Sequence, residues 1–145
     1  MSDFETTYAR HKELRAKANE INKAVLFEAL ASAGITSIHV DFDGYGDSGQ
    51  INGVAASSDD ASAELPQTMI TIQTVSWGTT EILTAQSTLE TAIENVCYDY
   101  LEQMHGGWEN NDGGYGEFRI DVAKRSVELE FNGRFTETWT DIHTF

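Results

Sequence analysis

The chain has 145 residues, with 9 Lys and Arg against 24 Asp and Glu, for a formal net charge of −15. That length sets a single domain over residues 1–145, and 40% hydrophobic residues are enough for a core, which excludes global disorder. One cysteine, Cys97, excludes an internal disulfide and a Cys-rich zinc site, and the acidity argues against direct binding to a phosphate backbone.

From about Phe4 to Ala33, Leu14, Ala18, Ile21, Val25 and Ala29, flanked by Leu26 and Leu30, recur in steps of three and four and predict one long helix. Arg10, Lys12, Glu13, Arg15, Lys17 and Glu20 charge its first half on nearly every side, so residues 1–20 read as a projecting arm that enters the core at Ile21. Gly34 followed by Ile35 has the form of a left-handed helix end with an apolar contact just beyond.

Ser37 to Asp43 alternates strictly, with Ile38, Val40 and Phe42 on one face and His39, Asp41 and Asp43 on the other, the mark of a half-buried strand. A glycine-rich turn over 43–49 leads to a short strand over 50–55, then to a small, polar, mobile loop over 56–65. Thr68 to Trp77 reads as a strand broken at Gly78, and Thr79 to Ala85 as a further short strand.

Ser87-Thr-Leu-Glu90 is a capping box that opens a second helix with the stripe Leu89, Ile93, Val96, Cys97, Tyr100 and Met104, closed by His105-Gly-Gly107. Cys97 on that stripe is a small core residue, since nothing electropositive in the helix favours its thiolate. Residues 114–122 and 126–131 alternate as strands, and Phe131-Asn-Gly-Arg-Phe135 fits a three-residue hairpin loop that sets Phe131 opposite Phe135. The expected fold is α+β, a mainly antiparallel sheet with two long helices in the order α-β-β-β-α-β-β-β.

The charge is unevenly placed. Residues 1–23 and 119–145 nearly cancel, whereas the 95 residues between Lys23 and Arg119 carry 15 carboxylates and no Lys or Arg. A one-sign field repels itself, so either a general solubility bias or a surface meant for a basic partner explains the block.

Two segments echo each other, Asp43-Gly-Tyr-Gly-Asp-Ser-Gly-Gln-Ile51 and Asp112-Gly-Gly-Tyr-Gly-Glu-Phe-Arg-Ile120. Their carboxylates and backbone could hold Ca²⁺, but on the EF-hand spacing from Asp41 the diagnostic bidentate Glu is replaced by Asn52, so tight turns explain the loops better. The four histidines, at 11, 39, 105 and 143, have no HxH or HExxH spacing. His39 with Asp41 and Asp43 could serve acid–base chemistry, yet a solvent-facing strand face accounts for them more simply. No nucleophile elbow, Walker loop or dinucleotide fingerprint is present.

The strings Asn22-Lys-Ala-Val-Leu-Phe-Glu-Ala-Leu30, Phe42-Asp-Gly-Tyr-Gly-Asp-Ser-Gly-Gln-Ile51, His105-Gly-Gly-Trp-Glu-Asn-Asn-Asp-Gly-Gly-Tyr-Gly-Glu-Phe118 and His143-Thr-Phe145 carry a resemblance over nearly the whole chain. The chain resembles an uncharacterised family, a domain of unknown function, of small acidic proteobacterial proteins found often on plasmids, prophages and other mobile elements. The resemblance brings no catalytic residue and no cofactor. It implies a context in which small acidic proteins include anti-restriction and anti-CRISPR inhibitors that resemble DNA in charge.

The leading expectation is therefore a non-enzymatic, cytoplasmic inhibitor or interaction protein that occupies a basic nucleic-acid-binding groove of a protein partner, with no membrane span and no signal peptide at its start, MSDFETTYAR. Its contact residues would be Asp41, Asp43, Asp47, Glu109, Asp112 and Glu117, with Tyr45, Trp108 and Tyr115 as aromatic anchors. The alternatives are a Ca²⁺- or Mg²⁺-binding protein or hydrolase that uses the two loops, and a regulatory homodimer paired through the N-terminal helix.

Overall fold

The computed structural model describes residues 3–46, 48–76, 81–110 and 112–145. The protein is α+β, with helix α1 (Asp3–Ser32), strands β1 (Ser37–Tyr45), β2 (Ser48–Ser58), β3 (Ala61–Ala63), β4 (Met69–Val75) and β5 (Ile82–Thr88), helix α2 (Leu89–Met104), and strands β6 (Gly114–Asp121) and β7 (Ser126–Gly133). Five strands form one sheet in the order β3-β2-β1-β6-β7, and β4 and β5 form a separate pair. Every pairing is antiparallel. Among the described residues no helix is long and apolar enough to cross a membrane.

The end of α1 follows from two residues. The Ile35 N–H donates to the Leu30 carbonyl at 3.0 Å and the Gly34 N–H to the Ala31 carbonyl at 3.1 Å, with Gly34 at φ +78. This is the Schellman closure that a glycine makes possible, and it seats Ile35 and Leu30, both buried, in the core. Ala18 is the first buried residue of α1, and Ile21 stays 45% exposed. Asn22 then ties the helix to β4: its amide donates to the Gln73 carbonyl at 2.9 Å, and its carbonyl accepts the Gln73 N–H at 2.6 Å.

One hydrophobic cluster joins both helices and both sheets. Leu26, Phe27 and Leu30 of α1 and Ala92, Ile93, Cys97 and Leu101 of α2 meet Ile38, Val40, Phe42, Phe118 and Ile120 of the five-stranded sheet and Ile70 of β4. Phe42 is its aromatic centre, with Trp108 edge-on at 5.5 Å, Phe118 at 5.6 Å and Phe131 at 6.1 Å between ring centroids.

Three local expectations are corrected. The cap of α2 is Thr88, whose hydroxyl accepts the Thr91 N–H at 3.1 Å, because Ser87 faces the core opposite Ile70 and is not free to cap. The stripe of α2 ends on buried Leu101 while Met104 is 67% exposed. The hairpin at 131–135 does not form: β7 runs on to pair Gly133 with Gly114, and the Arg134 N–H extends the ladder to the Gly113 carbonyl at 2.9 Å.

The strand order is accordingly five between the helices and two after them among the described residues, not three and three. The added strand β3 pairs Ala61, Ser62 and Ala63 with the end of β2, within the stretch read as a loop, and the break expected at Gly78 lies outside the described residues.

Candidate functional site

Alternation along β1 sends Ile38, Val40 and Phe42 into the core and leaves Ser37, His39, Asp41 and Tyr45 on the opposite, exposed face, with Asp43 half-exposed beside them. Because β1 is central, its register decides what these groups meet. On β6, His39 faces Arg119, Asp41 faces Glu117 and Asp43 faces Tyr115. On β7, Glu117 is followed by Glu130, Arg119 by Glu128 and Asp121 by Ser126. The β2 side of the same face holds Ser48, Gln50, Gly53, Ala55 and Ser57. One half of the outer face is thus small and uncharged, and the other half gathers Asp41, Asp43, Glu117, Asp121, Glu128 and Glu130 against Arg119 and Arg134.

Arg119 is the hub of the charged half. It pairs with Glu117, with Glu128 at 2.7 Å and with Glu130 at 3.4 Å. His39 donates from Nε2 to Glu117, and its Nδ1 lies 3.6 Å from Asp41. The His39 hydrogen bond and then the Arg119 charge hold the Glu117 carboxyl below its ordinary value, against a contrary effect of desolvation. At the end of the face Arg134 donates to Asp43 at 2.8 Å and lies 4.6 Å over the Tyr115 ring. The hydrogen bond to Asp43 raises the Arg134 pKa.

The nine residues nominated from sequence divide into groups. Asp41, Asp43, Glu117, Tyr45 and Tyr115 share the outer face, with Tyr45 73% exposed. Asp112 stands at its rim and accepts the Thr136 hydroxyl at 2.8 Å. Trp108 is a core residue, 7% exposed, and a side chain at Gly44 or Gly49 would come within 2.7 Å of its indole. The glycines of the first loop therefore clear a seat for a ring contributed by the loop after α2. Glu109 follows Trp108 behind the sheet, half-buried, with its Oε2 enclosed and unpaired among the described residues. Asp47 lies outside the described residues.

Five groups escaped the sequence reading: Asp121 at the end of β6, Glu128 and Glu130 alternating on β7, and Arg119 and Arg134 beyond the one-sign block. The i, i+2 spacing of the glutamates marks them as sharing a face, but only the pairing of β7 with β6 brings them to Glu117 and Arg119. The remaining carboxylates of the block scatter: Glu90, Glu94 and Glu102 lie on α2, and Asp59 and Asp60 at the β2–β3 turn.

The chemistry open to this arrangement is narrow. His39, Asp41 and Glu117 offer ligand atoms within 4.8 Å of one another, the group among the described residues with the spacing for a metal ion. The loop carboxylates Asp43 and Asp112 are instead held by Arg134 and Thr136. Cys97 is fully buried, and burial, with the nearby Glu94 charge, pushes its thiol up to about 12, so it is no nucleophile.

No curated protein and no solved structure matches the chain. A family model does match, over residues 18–145, beginning at the first buried residue of α1 and taking in the whole outer face. The chain belongs to the family of unknown function DUF6878.

Proposed function

We propose that the protein is a non-enzymatic, acidic interaction protein whose outer sheet face meets a basic, nucleic-acid-binding surface of a partner protein and blocks it. One observation carries this reading: six carboxylates from three adjacent strands share one uncovered face, Asp41, Asp43, Glu117, Asp121, Glu128 and Glu130, opposed by two arginines. Carboxylates held in a plane by a rigid sheet steer a cationic groove toward the face and reject acidic competitors. Tyr45 and Tyr115 at the end of the face supply rigid aromatic area of the kind that anchors interfaces. The resemblance to acidic proteins of mobile elements makes CRISPR effectors and restriction nucleases the partners to try first.

The test titrates the protein into such complexes preloaded with labelled DNA over a salt series. The reading expects DNA displacement that weakens as salt rises, and a loss of at least about tenfold in affinity, roughly 1.4 kcal/mol, for the combined Asp41→Asn, Glu128→Gln and Glu130→Gln variant. Binding indifferent to salt and to competing DNA refutes it.

A second reading has its own observation. His39, Asp41 and Glu117 have the spacing to hold a divalent cation. Against it, the Arg119 guanidinium already sits on Glu117. A melting temperature that rises with millimolar Mn²⁺ or Zn²⁺ and loses that rise in His39→Ala supports the cation site; no rise removes it.

A further inference from the structure

The two edges of the five-stranded sheet are built differently. One edge is β3, three residues long, and a strand that short offers little to pair with. The other is β7, eight residues long and in unbroken register with β6. Native sheets blunt a long edge with Pro, charge, a bulge or a covering segment. Among the described residues β7 has no Pro, no bulge and no strand beside it, and residues 134–145 form no bridge to it. What it has is charge of one sign, Glu128 and Glu130.

The ladder shows which groups this edge presents. The Arg134 N–H bonds the Gly113 carbonyl, and the Val122 N–H bonds the Thr36 carbonyl just before β1. Odd-numbered residues of β6 therefore exchange hydrogen bonds with Ser126, Glu128, Glu130 and Asn132, and even-numbered ones with β1. The N–H and C=O groups of Val127, Leu129 and Phe131 are left pointing away from the sheet, a template for one more strand. The two sides of that edge differ in chemistry. On the outer side Glu128 and Glu130 share Arg119 with Glu117, so three carboxylates meet one guanidinium. On the inner side a groove of about 200 Å³ separates Val127 and Leu129 from Tyr100 and the exposed Met104. Lys23 lines this groove, with its ammonium 5.7 Å from the Tyr100 ring centroid.

We infer that the free edge of β7 pairs antiparallel with an extended segment of a partner protein in which Lys or Arg alternates with apolar residues. Charge assigns the faces of that segment. Its basic residues lie outward beside Glu128 and Glu130, and its apolar ones inward beside Leu129 and Met104, where Lys23 would repel a cation. The same charge rejects a second copy. Antiparallel self-pairing centred on Leu129 puts each Glu128 opposite the other chain's Glu130, and pairing centred on either glutamate sets it against itself. Antiparallel addition continues a sheet in which every pairing is antiparallel. The inference rests on the proposed function for the sign of the partner's charge, and it adds the main-chain contact that orients the partner on the outer face.

Fluorescence anisotropy of labelled peptides as long as β7, titrated with the full chain, tests it. One peptide alternates Arg and Val, a second holds the same residues in two blocks, and a third alternates Glu and Val. The alternating Arg–Val peptide is expected to bind at least about tenfold more tightly than either of the others. N-methyl groups on its Val amides, which face β7, should cost at least about tenfold, whereas on its Arg amides, which face solvent, they should cost little. Leu129→Pro removes an outward N–H without breaking a bond to β6, and should weaken binding by a similar factor with circular dichroism unchanged. If that variant fails to fold, the two N-methyl peptides decide the matter on the wild-type chain. Equal affinity for the alternating and two-block peptides, or indifference to the position of the N-methyl groups, overturns the inference. So does a wild-type dimer in sedimentation equilibrium that Leu129→Pro dissociates, which puts a second copy on the edge. DNA displacement reads the proposed function separately. If Leu129→Pro displaces DNA as well as the wild type does, that reading stands and the edge inference falls; if the wild type binds the Arg–Val peptide through its edge yet displaces no DNA, the edge stands and that reading falls.

Discussion

The two faces of the five-stranded sheet are built from alternate residues of the same strands, yet they follow different rules. On the inner face Ile38, Val40, Phe42, Phe118 and Ile120 are almost wholly buried, and their positions are set by contact with α1, α2 and Trp108. On the outer face His39, Asp41, Glu117, Arg119, Glu128 and Glu130 are linked to one another by hydrogen bonds and ion pairs on the solvent side of the sheet. Close packing makes every atom on the inner face count toward stability. Solvent screening makes exposed ion pairs contribute little, so the outer face is free to be shaped by what it meets. Substitutions should therefore separate the faces: inner ones change folding, and outer ones change recognition.

The largest effect is expected at Phe42, which touches Trp108, Phe118 and Phe131. Phe42→Ala should cost about 3–5 kcal/mol in urea denaturation, a large part of the roughly 5–15 kcal/mol of a typical domain. Gly44→Ala comes next, at about 1–3 kcal/mol, because its added carbon would lie 2.7 Å from the Trp108 ring. A neutral Gly44→Ala would show that Trp108 is loosely seated and would blur the contrast between the faces. Thr88→Ala should cost about 1 kcal/mol through loss of the α2 cap, while Ser87→Ala leaves that cap intact.

How much of this was legible in the sequence depended on how local each cause is. The close of α1 at Gly34-Ile35 was readable, since a Schellman end needs only neighbouring residues. The two faces of β1 were readable from alternation alone, which placed Asp41 with Asp43 and His39. The cap of α2 was misplaced by one residue because Ser87 points inward in its pairing with β4, a fact of the sheet. Trp108 read as a surface anchor, flanked as it is by Gly107 and Glu109. Its burial depends on the missing side chains of Gly44 and Gly49, some sixty residues earlier in the chain. Glu128 and Glu130 join the acidic face only because β7 lies beside β6, so the one-sign block over residues 24–118 was a poor guide to the patch itself.

The smallest expected effect bears on whether the outer face is held together by charge at all. The Glu117 carboxyl is held below the ordinary value of 4.5, first by the His39 hydrogen bond and then by Arg119. A depressed carboxyl binds its proton more weakly in the folded chain than in the unfolded one. Its contribution to stability is therefore complete above pH 4.5 and disappears as the pH falls through the lower folded value. Glu117→Gln removes that titration. Thermal melts of the wild type and of Glu117→Gln should differ by a small margin near pH 6, with the wild type the more stable, and should draw together as the pH falls below 4.5. Glu117 is half-buried and its Arg119 partner exposed, so the gap is expected to shrink in part in about 1 M salt as well, where the Debye length is roughly 3 Å. A gap that persists unchanged at low pH and in high salt would mean that Glu117 acts by packing. The two faces of the sheet would then be governed by the same forces after all.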